Sequence, residues 1–367
     1  MRISVEEFQP EHEAAVAAFN QRMRSASAPS GFLLPLHAKP PVRDGSVTVT
    51  HYVAVDEARQ VRGGMMCQAH PAVAGSRVDQ AVNVQAPLSE GIIDPAFTFV
   101  APQLIKHALR LSALAFVVGM GSARNPLPRL LKAMGWSVDA VPFYFRLLRG
   151  ARCARHLAPL RTTAAKRMAA DLAAMTGAAS LAPRLAHRVS PAAKQLASQY
   201  QVAPVERWLE WTEAAWEAFA RDLSFGVLRT AETLPFFYRF DDRSPRAWTV
   251  ERNGRVEGWF GLKLSAMSNN EYFGDLVVAT LTDCVGTADA VRAGVAVAAR
   301  TAHQHGADLL ITNQQHRLLQ DACAAAGWRQ GPSNFLFAAS RALAATFQPG
   351  TVHITRRDGD GLINLGG

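Results

Sequence analysis

The sequence is poor in cysteine, in charge and in long apolar runs. Its four cysteines, at positions 67, 153, 284 and 323, form no C-x-x-C pair and lie at no ligand spacing from a histidine. That scatter argues against a disulfide framework and against a zinc site, so we expect no metal. No uncharged apolar run approaches the roughly 18 residues that a membrane-spanning helix needs. Acids stand near the N-terminus where a secretory leader would be apolar, so we expect a soluble, cytoplasmic protein.

Composition and charge bound the class of protein. Hydrophobic residues make up 49% of the 367 residues, which is enough for real cores and excludes a disordered or fibrous chain. A chain of this length favours two domains. The net charge of +9 favours anionic partners, namely nucleic acid, a phosphorylated cofactor or an acidic membrane face, and does not choose among them.

Two pairs of similar segments indicate an internal repeat. YVAVDEARQVRG (52–63) and AWTVERNGRVEG (247–258) each read as a strand, a polar turn and a second strand, which is a hairpin. Gly135-Trp136 and Gly327-Trp328 each end a predicted helix before a closing strand, at nearly the same spacing from the hairpins. A repeat of this length implies one architecture used twice. The alternative is chance similarity between two apolar helix–strand units.

Each half predicts the same order of elements: strand, helices, three antiparallel strands, helix, strand, helix, strand. An alanine-rich basic segment separates the halves, and a polar, glycine-rich tail follows the second. The sequence therefore predicts an α/β fold with mixed (α+β) sheets, divided into a domain at 1–150, a helical linker at 151–184, a second domain at 185–342 and a tail at 343–367.

This order resembles the GNAT acyltransferase superfamily. The segments that carry the resemblance are AFVVGMGSARNPLPRLLKAMGW (115–136) and DLLITNQQHRLLQDACAAAGW (308–328), each a strand, an Asn-led helix and a Gly-aromatic stop. The whole chain is similar in layout to tandem-GNAT proteins such as mycothiol synthase and the Fem-type aminoacyltransferases. The resemblance implies two GNAT-like domains in tandem and transfer of an acyl group to an amine.

The resemblance also implies where a donor binds. In such a fold the helix after the fourth strand cradles the pyrophosphate of acyl-CoA with its N-terminal amides, and the fourth and fifth strands splay to admit the pantetheine arm. The family's phosphate loop, Q/R-x-x-G-x-G/A, is not intact in either half. Gly91 alone matches in the first half, and Arg292-Ala-Gly294 in the second resembles a loop shortened by one residue. Asn125 and Asn313 follow the fifth strands and are candidates for donor contact, although Asn125 equally suits a helix N-cap.

The amine must lose a proton before or during attack, so a base is expected at the splay. Glu90 and Asp283 stand at the ends of the predicted fourth strands and are the candidates, with helix capping as the alternative for Glu90. The tyrosine that often precedes the Gly-aromatic pair is absent from both halves. Tyr144 is another candidate proton donor, or an ordinary strand tyrosine.

These features predict an N-acyltransferase that moves an acyl or aminoacyl group to an amine, such as an amino sugar or a cell-envelope or polysaccharide precursor. The expected donor is acyl-CoA, and acetyl-CoA before other acyl-CoAs. The alternative donor is another thioester or ester carrier, and the incomplete phosphate loops favour this alternative. One alternative is a catalytically degenerate tandem-GNAT scaffold that binds a partner. Another is a nucleic-acid-binding module, but no aromatics interleave with the basic residues of 149–167, so nucleic acid is not expected. The oligomeric state is left open.

Overall fold

The computed structural model describes residues 2–26, 28, 33–38, 42–175, 179, 187–241 and 245–359. The chain forms two units. Unit 1 comprises Met1–Asp139 and Leu336–Phe347, and unit 2 comprises Ala140–Phe335 and Gln348–Gly367.

Unit 1 is built on a mixed sheet with helices on both faces. Its strands are β1 (Ile3–Glu7), β2 (Val42–Asp44), β3 (Val47–Asp56), β4 (Val61–Ala74), β5 (Arg77–Ser89), β6 (Ala115–Val118), β7 (Ser137–Ala140) and β16 (Leu336–Ala339). Its helices are α1 (Glu13–Ser25), α2 (Val100–Leu111), α3 (Pro126–Ala133) and α11 (Arg341–Ala344). The sheet runs in the order β1-β3-β4-β5-β6-β16-β7, with β2 paired to β3.

The core of unit 1 follows from the alternation of side chains along β3. Tyr52 and Ala54 pack with the buried face of α2, and Val53 and Val55 pack with the buried face of α1. Because successive residues of a strand point to opposite faces, the two helices cover the two sides of one sheet.

Unit 2 repeats this plan. Its strands are β8 (Phe143–Leu147), β9 (Gln201–Pro204), β10 (Phe225–Val227), β11 (Arg246–Arg252), β12 (Arg255–Ala266), β13 (Val277–Gly286), β14 (Leu309–Asn313), β15 (Arg329–Gly331) and β17 (Val352–His353). Its helices are α4 (Gly150–His156), α5 (Ala164–Met175), α6 (Pro191–Ser198), α7 (Trp211–Ala220), α8 (Leu234–Phe237), α9 (Ala288–Gln304) and α10 (Arg317–Ala325). The main sheet runs β9-β11-β12-β13-β14-β8-β15, and β10 pairs with β17 in parallel.

The closing strand of each half of the sequence belongs to the other unit than the predicted domain ranges place it in. β8, from the first half of the sequence, pairs with β14 in the sheet of unit 2, and β16, from the second half, pairs with β6 in the sheet of unit 1. The link from β7 to β8 is Val141-Pro142. A two-residue hairpin needs positive φ at both turn positions (type I′), which proline cannot adopt, or at the first (type II′), which β-branched Val141 disfavours, so β7 and β8 do not form a hairpin.

In each unit the parallel pair of central strands parts. β13 and β14 are paired from Val278–Leu309 to Thr280–Ile311, and β5 and β6 at Val82–Ala115 and Asn83–Phe116. In both units the register of the fourth strand against the third is interrupted close to this point. An irregularity of this kind bends and twists a strand, which explains why the pairs diverge there. The expected splay is therefore present in both sheets.

The linker and the tail are integral parts of unit 2. The linker contains α4 and α5, and its predicted end at 176–178 and 180–184 lies outside the described residues. The tail forms β17 and a 3₁₀ turn at Arg356–Asp358, and His353, Ile354 and Thr355 are fully buried. Residues 360–367 of the predicted tail also lie outside the described part. In the ranges that are described, no helix has the length and apolar character needed to cross a membrane.

The glycine that ends α10 gives a direct test of this packing. Gly327 has φ +74°, and a Cβ there would lie 2.6 Å from the Arg188 carbonyl oxygen, whereas Gly254 has φ +73° and open space around it. We expect Gly254→Ala to cost about 1 kcal/mol, from the left-handed backbone alone. Gly327→Ala should cost at least about 1 kcal/mol more, because the backbone must also move. Urea unfolding of both variants measures the difference, and equal losses would contradict the close contact between Gly327 and Arg188.

Candidate functional site

The site of interest lies where β13 leaves β14, on one face of the unit 2 sheet. Gly294 of α9 packs against Cys284 and Phe260, so those side chains face α9. The next residue of each strand, Asp283 and Gly261, faces the other side of the sheet. A Cβ built on Gly261 would lie 2.6 Å from the Tyr238 hydroxyl on that side. The Asp283 side chain therefore lies on the face of the sheet that points away from α9.

Asp283 is fully buried and both of its oxygens have partners. Oδ2 accepts a hydrogen bond from Arg229 Nε at 2.5 Å, and Oδ1 lies 3.0 Å from His353 Nε2. Burial alone would raise the pKa of this carboxyl, but Arg229 and His353 outweigh it and lower the pKa to about 2. Asp283 is thus ionised at neutral pH and accepts hydrogen bonds only, so His353 Nε2 carries the proton between them.

Arg229 joins Asp283 to the tail. Its Nη2 donates to Asp358 Oδ1 at 2.6 Å, and its Nη1 donates to the Val227 carbonyl at 3.1 Å. The other oxygen of Asp358 accepts from the Thr355 backbone amide at 2.9 Å, which closes the 3₁₀ turn. Phe237 lies against the guanidinium, 4.5 Å from its carbon to the ring centroid.

A second buried arginine balances the charge. Arg357 lies over the rings of Phe237 and Tyr238, and burial lowers its pKa to about 10, so it remains a cation at neutral pH. Two guanidinium groups therefore share the cluster with the carboxylates of Asp283 and Asp358. Pairing of this kind is what allows buried charge to persist, because each isolated ion would lose its hydration without compensation.

Two histidines and a glutamine border the cluster. Phe219 of α7 packs on His353 and on His316, with ring centroids 4.8 and 5.2 Å apart. Burial lowers the pKa of His316 to about 4, so its ring is neutral at pH 7. Gln314 is fully buried beyond the end of β14 and donates to Thr312 Oγ1, which in turn donates to the Leu281 carbonyl on β13.

The helix that follows β13, α9, has a side-chain cap and acidic residues at its N-terminus. Thr287 Oγ1 accepts from the Ala290 amide and lies 3.3 Å from a carboxylate oxygen of Glu257, and Asp289 stands in the first turn. Burial raises the pKa of Glu257, but Tyr200, Arg252 and Thr287 outweigh it and lower that pKa. Arg252 pairs with Glu257 at 3.0 Å, so the start of α9 is capped by Thr287 and its acids have basic partners.

The residues predicted as a phosphate loop in unit 2 are helical instead. Arg292 is exposed and pairs with Asp289 one turn earlier, at 3.1 Å. Gly294 lies inside α9, where a Cβ would approach Cys284 Sγ at 3.1 Å. The glycine is thus explained by close packing of α9 on β13, and the predicted loop does not exist as a loop.

In unit 1, Glu90 and Gly91 form part of a tight turn after β5. Glu90 is buried and bonded to Arg22 Nε at 2.7 Å and to Arg62 Nη1 at 3.1 Å. Gly91 is needed because a Cβ would lie 2.6 Å from the Thr98 Cα. Glu90 follows the end of β5, whereas Asp283 lies within β13 opposite Gly261, so the two are not equivalent positions.

The three remaining predicted residues make local contacts. Asn125 occupies the N-cap position of α3, but its side chain donates to the Met120 carbonyl instead of capping. Asn313 donates to the Val141 carbonyl and accepts from Arg356 Nε at 2.7 Å. Tyr144 lies on β8 with its hydroxyl 3.5 Å from Gln320 Oε1 of α10, and burial raises its pKa.

Sequence reasoning missed Arg229 and His353 as partners of Asp283. A lone arginine within the apolar run around Phe225–Leu228, and a histidine between Val352 and Ile354, were the available signals. Neither pattern names its partner, which lies 54 or 70 residues away along the chain.

The ion pair between Asp283 and Arg229 predicts a pH dependence of stability. Because the folded pKa of Asp283 is lowered, its contribution is complete above the unfolded value of about 4 and is lost as the pH falls toward about 2. We expect Asp283→Asn to lower the free energy of unfolding by about 3 kcal/mol at pH 7. That deficit should shrink between about pH 4 and pH 2.

Denaturant unfolding at several pH values measures this effect. The control is Asp79→Asn, which removes an exposed pair with Arg77 and should cost under about 1 kcal/mol. An Asp283→Asn deficit that stays constant down to pH 2 would contradict the assigned ion pair.

Comparison with known proteins establishes the fold. No family model and no curated protein sequence matches the chain. Among solved structures, a GCN5-related N-acetyltransferase from Anabaena variabilis has a TM-score of 0.51 at 9% identity, over 96% of this chain and 85% of that one. Saccharomyces cerevisiae N-myristoyltransferase with bound myristoyl-CoA has a TM-score of 0.51 at 10% sequence identity, over 92% of this chain and 82% of that one. A probable N-acyltransferase of unknown function from Enterococcus faecalis has a TM-score of 0.50 at 9% identity, over 95% of this chain and 74% of that one. The expectation from the sequence is confirmed at this level: the chain has the mixed α/β fold of the GCN5-related N-acetyltransferases.

Proposed function

We propose that the protein is an N-acyltransferase and that unit 2 carries the reaction. The observation that supports this most directly is the parting of β13 and β14 after the Thr280–Ile311 pair, beside a buried carboxylate–histidine pair. Parted strands leave backbone groups on their facing edges, and an amide-bearing arm such as pantetheine can pair with such an edge as an added strand does.

The two faces of the sheet then have different roles. On the α9 face of β13, Gly294 packs closely against Cys284 and Phe260. The opposite face presents Asp283 and, through it, His353. An amine that reaches the thioester from this second face meets the imidazole of His353, a group that is able to remove its proton. The acceptor is a primary amine, and amino sugars and cell-envelope or polysaccharide precursors are the first to test.

The start of α9 bears on the choice of donor. At the helix start that would cradle a pyrophosphate, Thr287 caps the Ala290 amide, and the carboxylates of Glu257 and Asp289 are held nearby. An acyl carrier that does not rely on this helix end therefore suits unit 2 better than one that does, so the donors to compare are acetyl-CoA, longer acyl-CoA thioesters and acyl groups on other carriers.

The occupied helix end also favours a second candidate, a degenerate GNAT-fold scaffold that binds a partner without chemistry. The two proposals differ in one measurable respect. An enzyme releases free thiol from an acyl thioester when an amine is present, whereas a scaffold does not.

Turnover with a donor panel tests the proposed function. Purified protein is mixed with acetyl-CoA, octanoyl-CoA or myristoyl-CoA and with glucosamine or another primary amine, and the free thiol is followed. We expect amine-dependent thiol release with at least one donor, and a rise in the unfolding midpoint with that donor because ligand binds only the folded state.

A matched variant identifies the unit. Asp283→Asn should reduce turnover, while Glu90→Gln, which alters the buried Arg22 and Arg62 pairs of unit 1, should leave it within about twofold once folded protein is matched. Absence of thiol release with every donor, together with an unchanged midpoint, would favour the scaffold.

A further inference from the structure

The segment after β14 and the chain from the end of β17 onward lie side by side. They place four side chains on one surface, those of Gln314, His316, His353 and Thr355. Gln314 and Thr355 form an antiparallel bridge, and the Gln315 amide donates to the Ile354 carbonyl at 3.2 Å. Continuing this register by two residues sets His316 opposite His353. Residues two apart on a strand share a face, and residues directly opposite lie about 5 Å apart. The packing of Phe219 on both imidazole rings agrees with that placement.

Three polar atoms on this surface have no hydrogen-bond partner in the described part of the chain. They are His353 Nδ1, His316 Nδ1 and Gln314 Oε1, and each belongs to a side chain that is more than nine-tenths buried. Leaving such a group unpaired costs about 1–3 kcal/mol. A group of them in one place therefore indicates that a ligand supplies the missing partners.

The identity of two of these atoms specifies the ligand. In the neutral ring that donates through Nε2 to Asp283, the other nitrogen, His353 Nδ1, holds a lone pair. Gln314 uses its amide nitrogen on Thr312, so Oε1 remains as an acceptor. Two acceptors without donors match a group that carries several N–H bonds, and a primary amine is such a group.

We propose that His353 is the general base that deprotonates the acceptor amine, that Asp283 is its positioning residue, and that Gln314 Oε1 accepts a second N–H of the same amine. This inference rests on the proposed function. It assigns the base to a histidine supplied by the tail, and it gives the strand carboxylate the task of fixing the tautomer and the orientation of that imidazole.

The step balances as follows. The amine nitrogen donates its lone pair to the thioester carbonyl carbon and forms the C–N bond. His353 Nδ1 takes one proton from that nitrogen and becomes an imidazolium, which Asp283 stabilises. The C–S bond breaks, the thiolate leaves with the bonding electrons, and the imidazolium returns its proton to the thiolate directly or through water. The products are an amide and a thiol, and His353 is neutral again.

Replacing His353 by glutamine separates the base from its structural role. The glutamine amide keeps an N–H for Asp283 but has no basic nitrogen. We expect His353→Gln to lower kcat at least about 100-fold with little change in the KM of the acyl thioester. The loss should be largest for strongly basic alkylamines, which are protonated at neutral pH, and smaller for weakly basic amines such as hydroxylamine, which are neutral before they bind. A purely structural defect would not depend on acceptor basicity.

Two further variants complete the experiment. Gln314→Met should lower kcat/KM for the amine about tenfold without affecting the thioester, as loss of one hydrogen bond predicts. His303→Gln, on the exposed side of α9, is the control and should match the wild type.

Full kcat in His353→Gln, or the same fractional loss for all amines, overturns the inference while the proposed function stands. If His353→Gln does not fold, wild-type kinetics of Gln314→Met overturn the assigned amine site instead. Absence of wild-type turnover overturns the proposed function itself, and the inference with it.

Discussion

The guanidinium of Arg229, held between two carboxylates, is the interaction on which the architecture of unit 2 depends. It is fully buried, and it ties Asp283 in the middle of a central strand to Asp358 near the end of the described chain. Removing ions from water costs several kcal/mol each, and the cost is offset only when the geometry is good and the remaining donors are used. The third contact of Arg229, to the Val227 carbonyl, adds to that compensation. The tail is therefore fixed by charge as well as by its apolar side chains.

The fixed position of Asp283 changes what it is able to contribute. A carboxylate with a pKa near 2, bonded on both oxygens, is a weak base at neutral pH and holds its neighbours in place. Unit 1 uses a related device, because Glu90 and Asp56 share Arg62 just after the fourth strand. That group includes Arg22, which is about one-third exposed, and the described contacts bring no histidine to Glu90. Arginine thus fixes a carboxylate just after the fourth strand of unit 1 and one within the fourth strand of unit 2, where an imidazole is added.

Local sequence patterns predicted the helices, strands and turns well. They did not predict which strands pair across the chain or which distant side chains meet. The Asn253-Gly254 turn has positive φ at both residues, as the second predicted hairpin requires, and Gly135 and Gly327 both adopt the left-handed conformation after a helix. Exchange of β8 and β16 between the sheets was not predictable, because both strands are apolar and either sheet offers an equivalent edge. Asp283 was found because strand ends are recognisable. Arg229 and His353 were not, because a buried polar partner far along the chain leaves no periodic signal. Gly294 misled for the opposite reason: a glycine required by helix packing looks the same in sequence as one required by a phosphate.

The unsatisfied groups around His353 bear on the choice between enzyme and scaffold. A protein that only binds a partner through its surface gains nothing from three unpaired polar atoms in its interior, and apolar side chains of similar volume would remove a cost of several kcal/mol. Local rules are broken in natural proteins mainly where function requires it. Here the broken rules coincide with the parting of β13 and β14, on the face of the sheet opposite α9. The same coincidence explains why a polar, charge-rich tail is buried at all: it brings further polar groups to the place where these two strands part.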